Sequence, residues 1–166
     1  MKEDNHDLTG LADIGKSDNK IRLFLIDDDA LFLRLLELEF LEHGDFIIET
    51  FTTGESAIAN LLHKPDVVIL DYFLEGTDGY AMNGLETLDN IKDYNKAIPI
   101  VMLSSQDKIY VAVNCMRHGA FDYVVKSETA FMRLQKVLSN IFHHKKPERE
   151  LDWYMEKADL HIGNHL

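Results

Sequence analysis

One short run of residues restricts the fold of this chain more than any other feature. Residues 67–70 read Val-Val-Ile-Leu, and Asp71 follows them directly. Such residues favour extended backbone, and because none of them is polar, both faces of the predicted strand must be covered. Strands buried on both faces are typical of parallel sheets that carry helices on either side. The run therefore predicts an α/β fold with a parallel sheet.

The chain from residue 21 onward alternates short apolar runs with longer amphipathic stretches. The predicted strands are 21–26, 46–51, 66–70, 100–103 and 121–125. The predicted helices are 30–43, 55–63, 84–94, 108–118 and 128–144. Strand–helix units in this succession predict right-handed crossovers, and ligands of such sheets bind at the carboxyl ends of the strands.

The first predicted helix carries leucines at 31, 35, 38 and 41 on one face, which is typical of an amphipathic helix. Asp29 is suited to cap its first turn, and Gly44 is suited to end it. We therefore expect this helix to begin at Ala30 and to end at His43.

The two ends of the chain differ from its middle. Residues 1–20 are mostly polar without a sustained period, so we expect a flexible leader and neither a signal peptide nor a lipidation signal. Residues 21–144 form the predicted domain, and residues 145–166 form a tail too short for a further output domain. Pro147 opens a possible short helix, in which Leu151, Tyr154 and Met155 form an apolar stripe beside Trp153. This stripe is either a docking or homodimer surface or a segment that packs back on the domain.

The charge of the chain excludes some partners. Its 17 basic and 29 acidic side chains leave a formal net charge of −12, which repels a phosphate backbone or an anionic membrane surface. No stretch approaches the length of a membrane span. Cys115 is the single cysteine, which excludes an internal disulfide and indicates a buried thiol in a reducing compartment. We expect a cytoplasmic protein that binds neither nucleic acid nor membrane.

Polar side chains follow the predicted strands at one edge of the sheet. Asp27, Asp28 and Asp29 follow the first strand, Asp71 the third, Ser104 the fourth and Lys126 the fifth. If these strand ends are neighbours, several carboxylates converge and need a cation, and an oxygen-only set suits Mg²⁺. The alternatives are a helix-capping role for the three adjacent acids, a turn residue at Asp71 and a solvated lysine.

Taken in order, the strand ends resemble the motifs of the receiver domain of two-component response regulators. The motifs are Leu-Ile-Asp-Asp-Asp at 25–29, Val-Ile-Leu-Asp-Tyr-Phe-Leu at 68–74, Val-Met-Leu-Ser-Ser at 101–105 and Gly-Ala-Phe-Asp-Tyr-Val-Val-Lys at 119–126. Each motif alone is weak, and the specific signal is their order at the right strand ends. The resemblance covers residues 21–144 and implies a doubly wound, flavodoxin-like sheet of five parallel strands in the order 2-1-3-4-5.

The resemblance implies a phosphoryl-accepting site. Asp71 would take a phosphoryl group from a phosphohistidine of a sensor histidine kinase or phosphotransfer protein. Mg²⁺ would be held by Asp71, directly by Asp28, by the backbone carbonyl of Phe73, and through water by Asp27. Lys126 would pair with the acceptor carboxylate and then with a phosphate oxygen. Apart from this Mg²⁺-dependent phosphorylation and dephosphorylation of itself, the resemblance implies no enzyme activity.

The resemblance also implies a switch. Ser104 would hydrogen-bond the phosphoryl group, and Tyr123 would move into the space that Ser104 leaves. This movement would change the surface that the fourth strand, fourth helix and fifth strand offer to a downstream protein target. Considered without the resemblance, Tyr123 is equally typical of a half-buried strand aromatic.

The sequence departs from the family pattern at two positions. Glu75 stands where most receivers have a proline, and the loop from Glu75 to Asn83 is longer than usual. Ser127 stands where the family usually has a proline in a cis bond after the lysine. The Lys126–Ser127 bond is therefore either trans, with a shifted lysine, or a strained cis bond.

Two other functions compete with a phosphorylated receiver. One is a degenerate receiver that acts as a phosphorylation-independent interaction module, although the chain retains all the chemical positions. The other is a phosphatase or phosphotransferase of the haloacid-dehalogenase type, which would need a second aspartate where this chain has Phe73. A nucleotide-binding P-loop motif is absent from the sequence.

Overall fold

The structure, a computed structural model, describes residues 20–74 and 81–143. Its strands are β1 (Ile21–Ile26), β2 (Phe46–Phe51), β3 (Val67–Asp71), β4 (Ile100–Ser104) and β5 (Asp122–Val125). Its helices are α1 (Ala30–His43), α2 (Gly54–Ala59), α3 (Gly84–Tyr94), α4 (Ile109–Arg117) and α5 (Ala130–His143). The predicted leader apart from Lys20, the segment 75–80 with Glu75, and the tail with Leu151, Trp153, Tyr154 and Met155 lie outside the described residues.

The strands form one parallel sheet in the order β2-β1-β3-β4-β5, which confirms the predicted topology. Every residue of β3 and β4 is buried. Burial of this kind follows from the uninterrupted apolar runs, because a central strand with helices on both sides exposes no face to water.

Helices cover the sheet on both faces, and alternate residues of a strand enter different cores. In β1, Leu23 and Leu25 pack with residues of α1 and α5. Their neighbours Phe24 and Ile26 pack with residues of α2, α3 and α4. Cys115 of α4 is fully buried in this second core, and burial raises the pKa of its thiol to about 11. The thiol is therefore protonated and inert at neutral pH, as the sequence indicated.

The predicted helix 55–63 is divided in the structure. The α2 helix ends at Ala59, and Leu61–His63 form a separate 3-10 turn. The Asn60 side chain donates to the Ser56 carbonyl at 2.8 Å, and Lys64 adopts a left-handed conformation with φ of 57°. Asparagine side chains compete with the backbone for hydrogen bonds, which explains the break at this position.

The leucines at 31, 35, 38 and 41 of α1 face the solvent. The core side of α1 consists of Leu33, Leu36 and Phe40. The predicted apolar face is exposed instead, with Leu31 70%, Leu35 55%, Leu38 42% and Leu41 50% exposed. Because α1 is apolar on two opposite sides, the spacing of its leucines identified a helix but did not identify the side that packs on the sheet.

None of the helices in ranges 20–74 and 81–143 combines the length and apolarity that a membrane span requires.

Candidate functional site

The carboxyl ends of β1 and β3 bring acidic side chains together. Ile26 pairs with Leu70 in the register, so Asp27 and Asp71 occupy neighbouring strand ends. Both residues are 2% exposed, whereas Asp28 is exposed to solvent. One carboxylate oxygen from each of the three residues lies within 4.8 Å of the others. Asp27, Asp28 and Asp71 therefore form an acidic cluster that needs a positive charge at its centre.

The three consecutive aspartates have different roles in the backbone. Asp29 is the N-cap of α1, and its Oδ1 accepts the N–H groups of Leu31 and Phe32, each at 3.0 Å. The N–H of Asp29 donates to Oδ1 of Asp27 at 3.0 Å. Capping therefore accounts for Asp29 and leaves Asp27 and Asp28 to the acidic cluster.

Gly84 allows α3 to approach the backbone of Asp71. A Cβ atom at this glycine would lie 2.3 Å from the carbonyl oxygen of Asp71 and 2.6 Å from that of Tyr72. The preceding residue, Asn83, caps α3 in a reciprocal capping box with Glu86. The role of Gly84 was not predicted from the sequence, in which the glycine next to a capping asparagine is consistent with a close backbone approach.

Lys126 is a cation placed against the acidic cluster. Its Nζ lies 2.6 Å from Oδ2 of Asp27 and 3.3 Å from Oδ1 of Asp71. The Phe32 ring of α1 lies beneath it, with 4.6 Å between Nζ and the ring centroid. An ammonium group over an aromatic face is attracted by the ring, so Phe32 helps to hold the lysine. Phe32 was not predicted as a site residue, because no local sequence pattern relates it to Lys126.

The electrostatics of the site reflect a shortage of positive charge. Burial, together with the charge of Asp27, raises the pKa of Asp71 to about 6, although Lys126 acts in the opposite direction. Burial also raises the pKa of Asp27. For Lys126, burial favours the neutral amine, but the ionic contacts with Asp27 and Asp71 outweigh it and raise the pKa. One lysine is therefore shared by two buried carboxylates.

Two buried carboxylate oxygens of the site lack a well-formed hydrogen bond. They are Oδ2 of Asp27 and Oδ1 of Asp71, which face Lys126 without good hydrogen-bond geometry to any group in the described part of the chain. Buried polar atoms are nearly always satisfied in folded proteins, and one ammonium group is shared between these two oxygens, so the site is suited to an additional cation. Carboxylate oxygens without histidine or cysteine suit Mg²⁺. The residues therefore fit the metal that the resemblance implies.

Ser104 and Tyr123 meet at the loop after β4. Ser104 is fully buried, and its Oγ accepts the N–H of Gln106 at 3.1 Å. The half-buried Tyr123 donates its hydroxyl to the carbonyl of Gln106 at 2.7 Å. Burial raises the pKa of the Tyr123 phenol, and its hydrogen bond with Ser104 only partly offsets this effect. Both side chains therefore hold the same loop.

The remaining site predictions have different outcomes. The described residues contain no cis peptide bond, so the Lys126–Ser127 bond is trans. The lysine nevertheless reaches both buried aspartates. The metal-binding role of the Phe73 carbonyl stays a prediction.

Comparison with known protein families gives one match that spans most of the chain. The family model of the response regulator receiver domain matches residues 23–138.

Two curated relatives match over similar lengths. A protein-glutamate methylesterase/protein-glutamine glutaminase of Clostridium acetobutylicum is 36% identical over 117 residues, which are 68% of this chain and 32% of that protein. The transcriptional regulatory protein ResD of Bacillus subtilis is 33% identical over 109 residues, which are 65% of this chain and 42% of that protein. The chain thus spans less than half the length of these relatives.

Solved structures show the same fold. The receiver domain of NtrX from Brucella abortus is 29% identical, with a TM-score of 0.65, and the match covers 73% of this chain and 98% of that one. The CheX-CheY-BeF3-Mg+2 complex from Borrelia burgdorferi contains a chain that is 24% identical, with a TM-score of 0.65. That match covers 74% of this chain and 89% of the other, and it bears on the fold alone.

Proposed function

The chain belongs to the response regulator receiver domain family, and from that membership we propose that it accepts a phosphoryl group on Asp71 from a histidine kinase or phosphotransfer protein and signals to a protein target. The observation that carries the proposal is the acidic cluster with Lys126 against it. Three clustered carboxylates, two of which share a single lysine, are suited to binding a metal ion and a phosphoryl group together.

We assign the binding of Mg²⁺ to the acidic cluster. The exposed Asp28 and the acceptor Asp71 would bind the metal directly through their carboxylates. The backbone carbonyl of Phe73 would be a third direct ligand, and Asp27 would act through water. Asp27 suits this indirect role because Lys126 and the N–H of Asp29 already engage its oxygens. When bound, Mg²⁺ neutralises charge on the phosphoryl oxygens.

Asp71 is the nucleophile of the proposed reaction. A carboxylate oxygen attacks the phosphorus, and the bond between phosphorus and the imidazole nitrogen of the donor breaks. The carboxyl must be ionised, and its pKa of about 6 leaves it largely ionised at neutral pH. Lys126 lies closer to Asp27 than to Asp71, so it holds the acceptor loosely and remains able to contact a phosphate oxygen.

Ser104 and Tyr123 are the proposed switch. If Ser104 turns toward a phosphoryl group on Asp71, it leaves both Gln106 and Tyr123, which share the loop before α4. The loop and α4 then adopt a second position. The outer face of α4 carries the exposed side chains of Ile109, Tyr110, Val113 and Met116, which are suited to a protein target.

A small phosphodonor tests the acceptor without a kinase. We expect acetyl phosphate with Mg²⁺ to add about 80 Da, one phosphoryl group, to the intact protein, and Asp71→Asn to abolish the adduct. The exposed Asp93→Asn on α3 is the matched control and should keep it. An adduct that survives in Asp71→Asn would contradict the proposal. A folded wild type that takes up no phosphoryl group would instead favour the phosphorylation-independent interaction module.

A further inference from the structure

The outer side of α1 is an apolar surface that no other described element covers. It consists of the leucines of the exposed stripe, Leu31, Leu35, Leu38 and Leu41, which we call the leucine face. Successive residues of a helix are about 100° apart, so Leu31, Leu35 and Leu38 point almost directly away from the core side of α1. Leucines in this position contribute nothing to packing on the sheet. An exposed apolar stripe of this kind is suited to contact with another protein surface.

Three residues of the leucine face have the spacing of a short coiled-coil seam, which ends at Leu38 because Leu41 is at a g position and the next a position is Glu42. Leu31, Leu35 and Leu38 are four and three residues apart and occupy the d, a and d positions of a heptad. In the same numbering, Arg34 is at a g position and Glu39 at an e position, on opposite sides of the seam. In a parallel helix pair, a g residue faces the e residue that lies five positions further along the partner helix. Arg34 therefore faces Glu39 when α1 pairs with a copy of itself.

From this charge pattern we infer that the leucine face is a self-association surface, on which α1 of a second copy packs in parallel about a two-fold axis. The symmetry makes the Arg34–Glu39 pair twice, once on each side of the seam. Arg34 now contacts Glu37 of its own helix at 2.6 Å, in a pair exposed enough to exchange partners at little cost. In this arrangement the core side of each α1 points away from the seam.

The parallel arrangement fixes where the two sites lie. Asp29 caps the first turn of α1, so the acidic cluster lies near the N-terminus of this helix. Parallel helices bring both N-termini to the same end of the dimer. Self-association therefore presents two acidic clusters on one side of the assembly. The surface itself depends on no phosphorylation, so it stands or fails separately from the proposed acceptor role.

Sedimentation equilibrium of the full chain tests the surface. A helix pair of this length is small against a standard interface of about 800 Å² per partner, so we expect a dissociation constant on the order of 10–100 µM. The average mass should rise with concentration from that of a monomer toward twice that value. Leu35→Glu with Leu38→Glu should keep the protein monomeric throughout. Leu62→Glu, at a leucine that is 78% exposed on the 3-10 turn, is the matched control and should leave the association unchanged.

A charge-exchange cycle tests the parallel arrangement. Arg34→Glu and Glu39→Arg should each weaken the dimer about three- to tenfold, because each places like charges together twice. The double variant should restore the wild-type constant, since the pairs re-form with the charges exchanged. A double variant as weak as the singles would overturn the parallel pairing.

Other outcomes would overturn the surface itself. If the wild type stays monomeric at several hundred micromolar, on the order of tenfold above the expected dissociation constant, the leucine face does not bind a second copy of the chain. Association that survives in the Leu35, Leu38 double variant but disappears with Leu151→Ser and Met155→Ser assigns the contact to the tail. Circular dichroism should show that the Leu35, Leu38 double variant is folded, because both substituted leucines of α1 are exposed.

Discussion

Two groups of charged residues in this domain contain the same kinds of contact but opposite balances of charge. At the β2 edge of the sheet, Glu49 accepts from Arg22 at 2.8 Å, and its other oxygen lies 2.7 Å from Nδ1 of His63. We call these three residues the edge network. There one carboxylate has two side-chain partners, Arg22 and His63, whereas in the acidic cluster two buried carboxylates share Lys126. The pKa of Glu49 is lowered, and the pKa of Asp71 is raised to about 6.

The difference separates stabilisation from function. In the edge network, burial opposes the charge of Glu49, but the hydrogen bonds from His63 and Arg22 outweigh it. In the acidic cluster, burial prevails over the single lysine at Asp71. A folded protein keeps such an unfavourable arrangement only where another cation or a reaction uses it. The following experiments test whether the two groups differ in this way.

Removal of the shared cation should have the largest effect. Lys126→Ala leaves the buried Asp27 and Asp71 without a counter-charge, and we expect a loss of about 3–4 kcal/mol in unfolding free energy at pH 8 without Mg²⁺. Addition of Mg²⁺ should recover most of this loss, because the metal replaces the missing positive charge. Urea unfolding with and without Mg²⁺ measures both values.

Lys108→Ala is the control for that experiment, since Lys108 is an exposed residue before α4. It should change stability by less than about 0.5 kcal/mol. An equal loss for Lys126→Ala with and without Mg²⁺ would show that Lys126 does not balance the acidic cluster.

Neutralisation of the acceptor should stabilise the metal-free domain. The carboxyl of Asp71 has a pKa of about 6 in the fold against 3.8 ordinarily, so the folded state binds its proton more tightly. The contribution of the protonated Asp71 carboxyl to stability is then fully present below pH 3.8 and is lost as the pH rises through 6. We expect Asp71→Asn to be about 2–3 kcal/mol more stable than wild type at pH 8 and nearly equal to it at pH 4.

Unfolding curves at a series of pH values measure this difference. It should shrink in saturating Mg²⁺, which stabilises the ionised wild type. A stability difference that is constant between pH 4 and pH 8 would show that ionisation of the Asp71 carboxyl does not destabilise the fold.

An added methyl group at Gly84 should show that the acidic cluster depends on backbone position. A Cβ atom there meets the carbonyl oxygens of Asp71 and Tyr72, which are backbone atoms that cannot rotate away. We expect Gly84→Ala to destabilise the domain by about 2 kcal/mol and to slow adduct formation on Asp71. Thermal unfolding and intact-mass kinetics measure the two effects. Unchanged adduct kinetics would show that α3 does not position the acceptor.

The sequence predicted the strand ends because the signal there is local. The apolar runs before Asp27, Asp71 and Ser104 identify buried strands, and each run is followed directly by a polar residue of the predicted site. Parallel strands then bring these residues to one edge without further information. The strand order came from the resemblance to receivers, and the structure has the same order.

The parts that the sequence did not predict depend on contacts between distant segments. Phe32 approaches Lys126 only after α1 and β5 are placed on the sheet. The two sides of α1 are both rich in leucine and phenylalanine, so the periodicity does not distinguish the leucine face from the core side. Residues 55–63 have a helical pattern, yet α2 ends early at its C-cap Asn60, and the left-handed Lys64 ends the 3-10 turn that follows.

The smallest effect is expected in the edge network. Glu49→Gln removes a charge that Arg22 and His63 stabilise, so stability should fall by about 0.5–1 kcal/mol at pH 7, as for a partly exposed ion pair. The pKa of Glu49 is lowered in the fold, so its contribution is present above the ordinary value of 4.5 and is lost as the pH falls through the lowered value. The variant should therefore approach wild type in acid from the less stable side, whereas Asp71→Asn approaches it from the more stable side. Parallel urea titrations of both variants test this opposition directly. If the difference in unfolding free energy between variant and wild type has the same sign for both variants, the charges of the edge network and of the acidic cluster affect stability in the same direction, which would contradict the comparison.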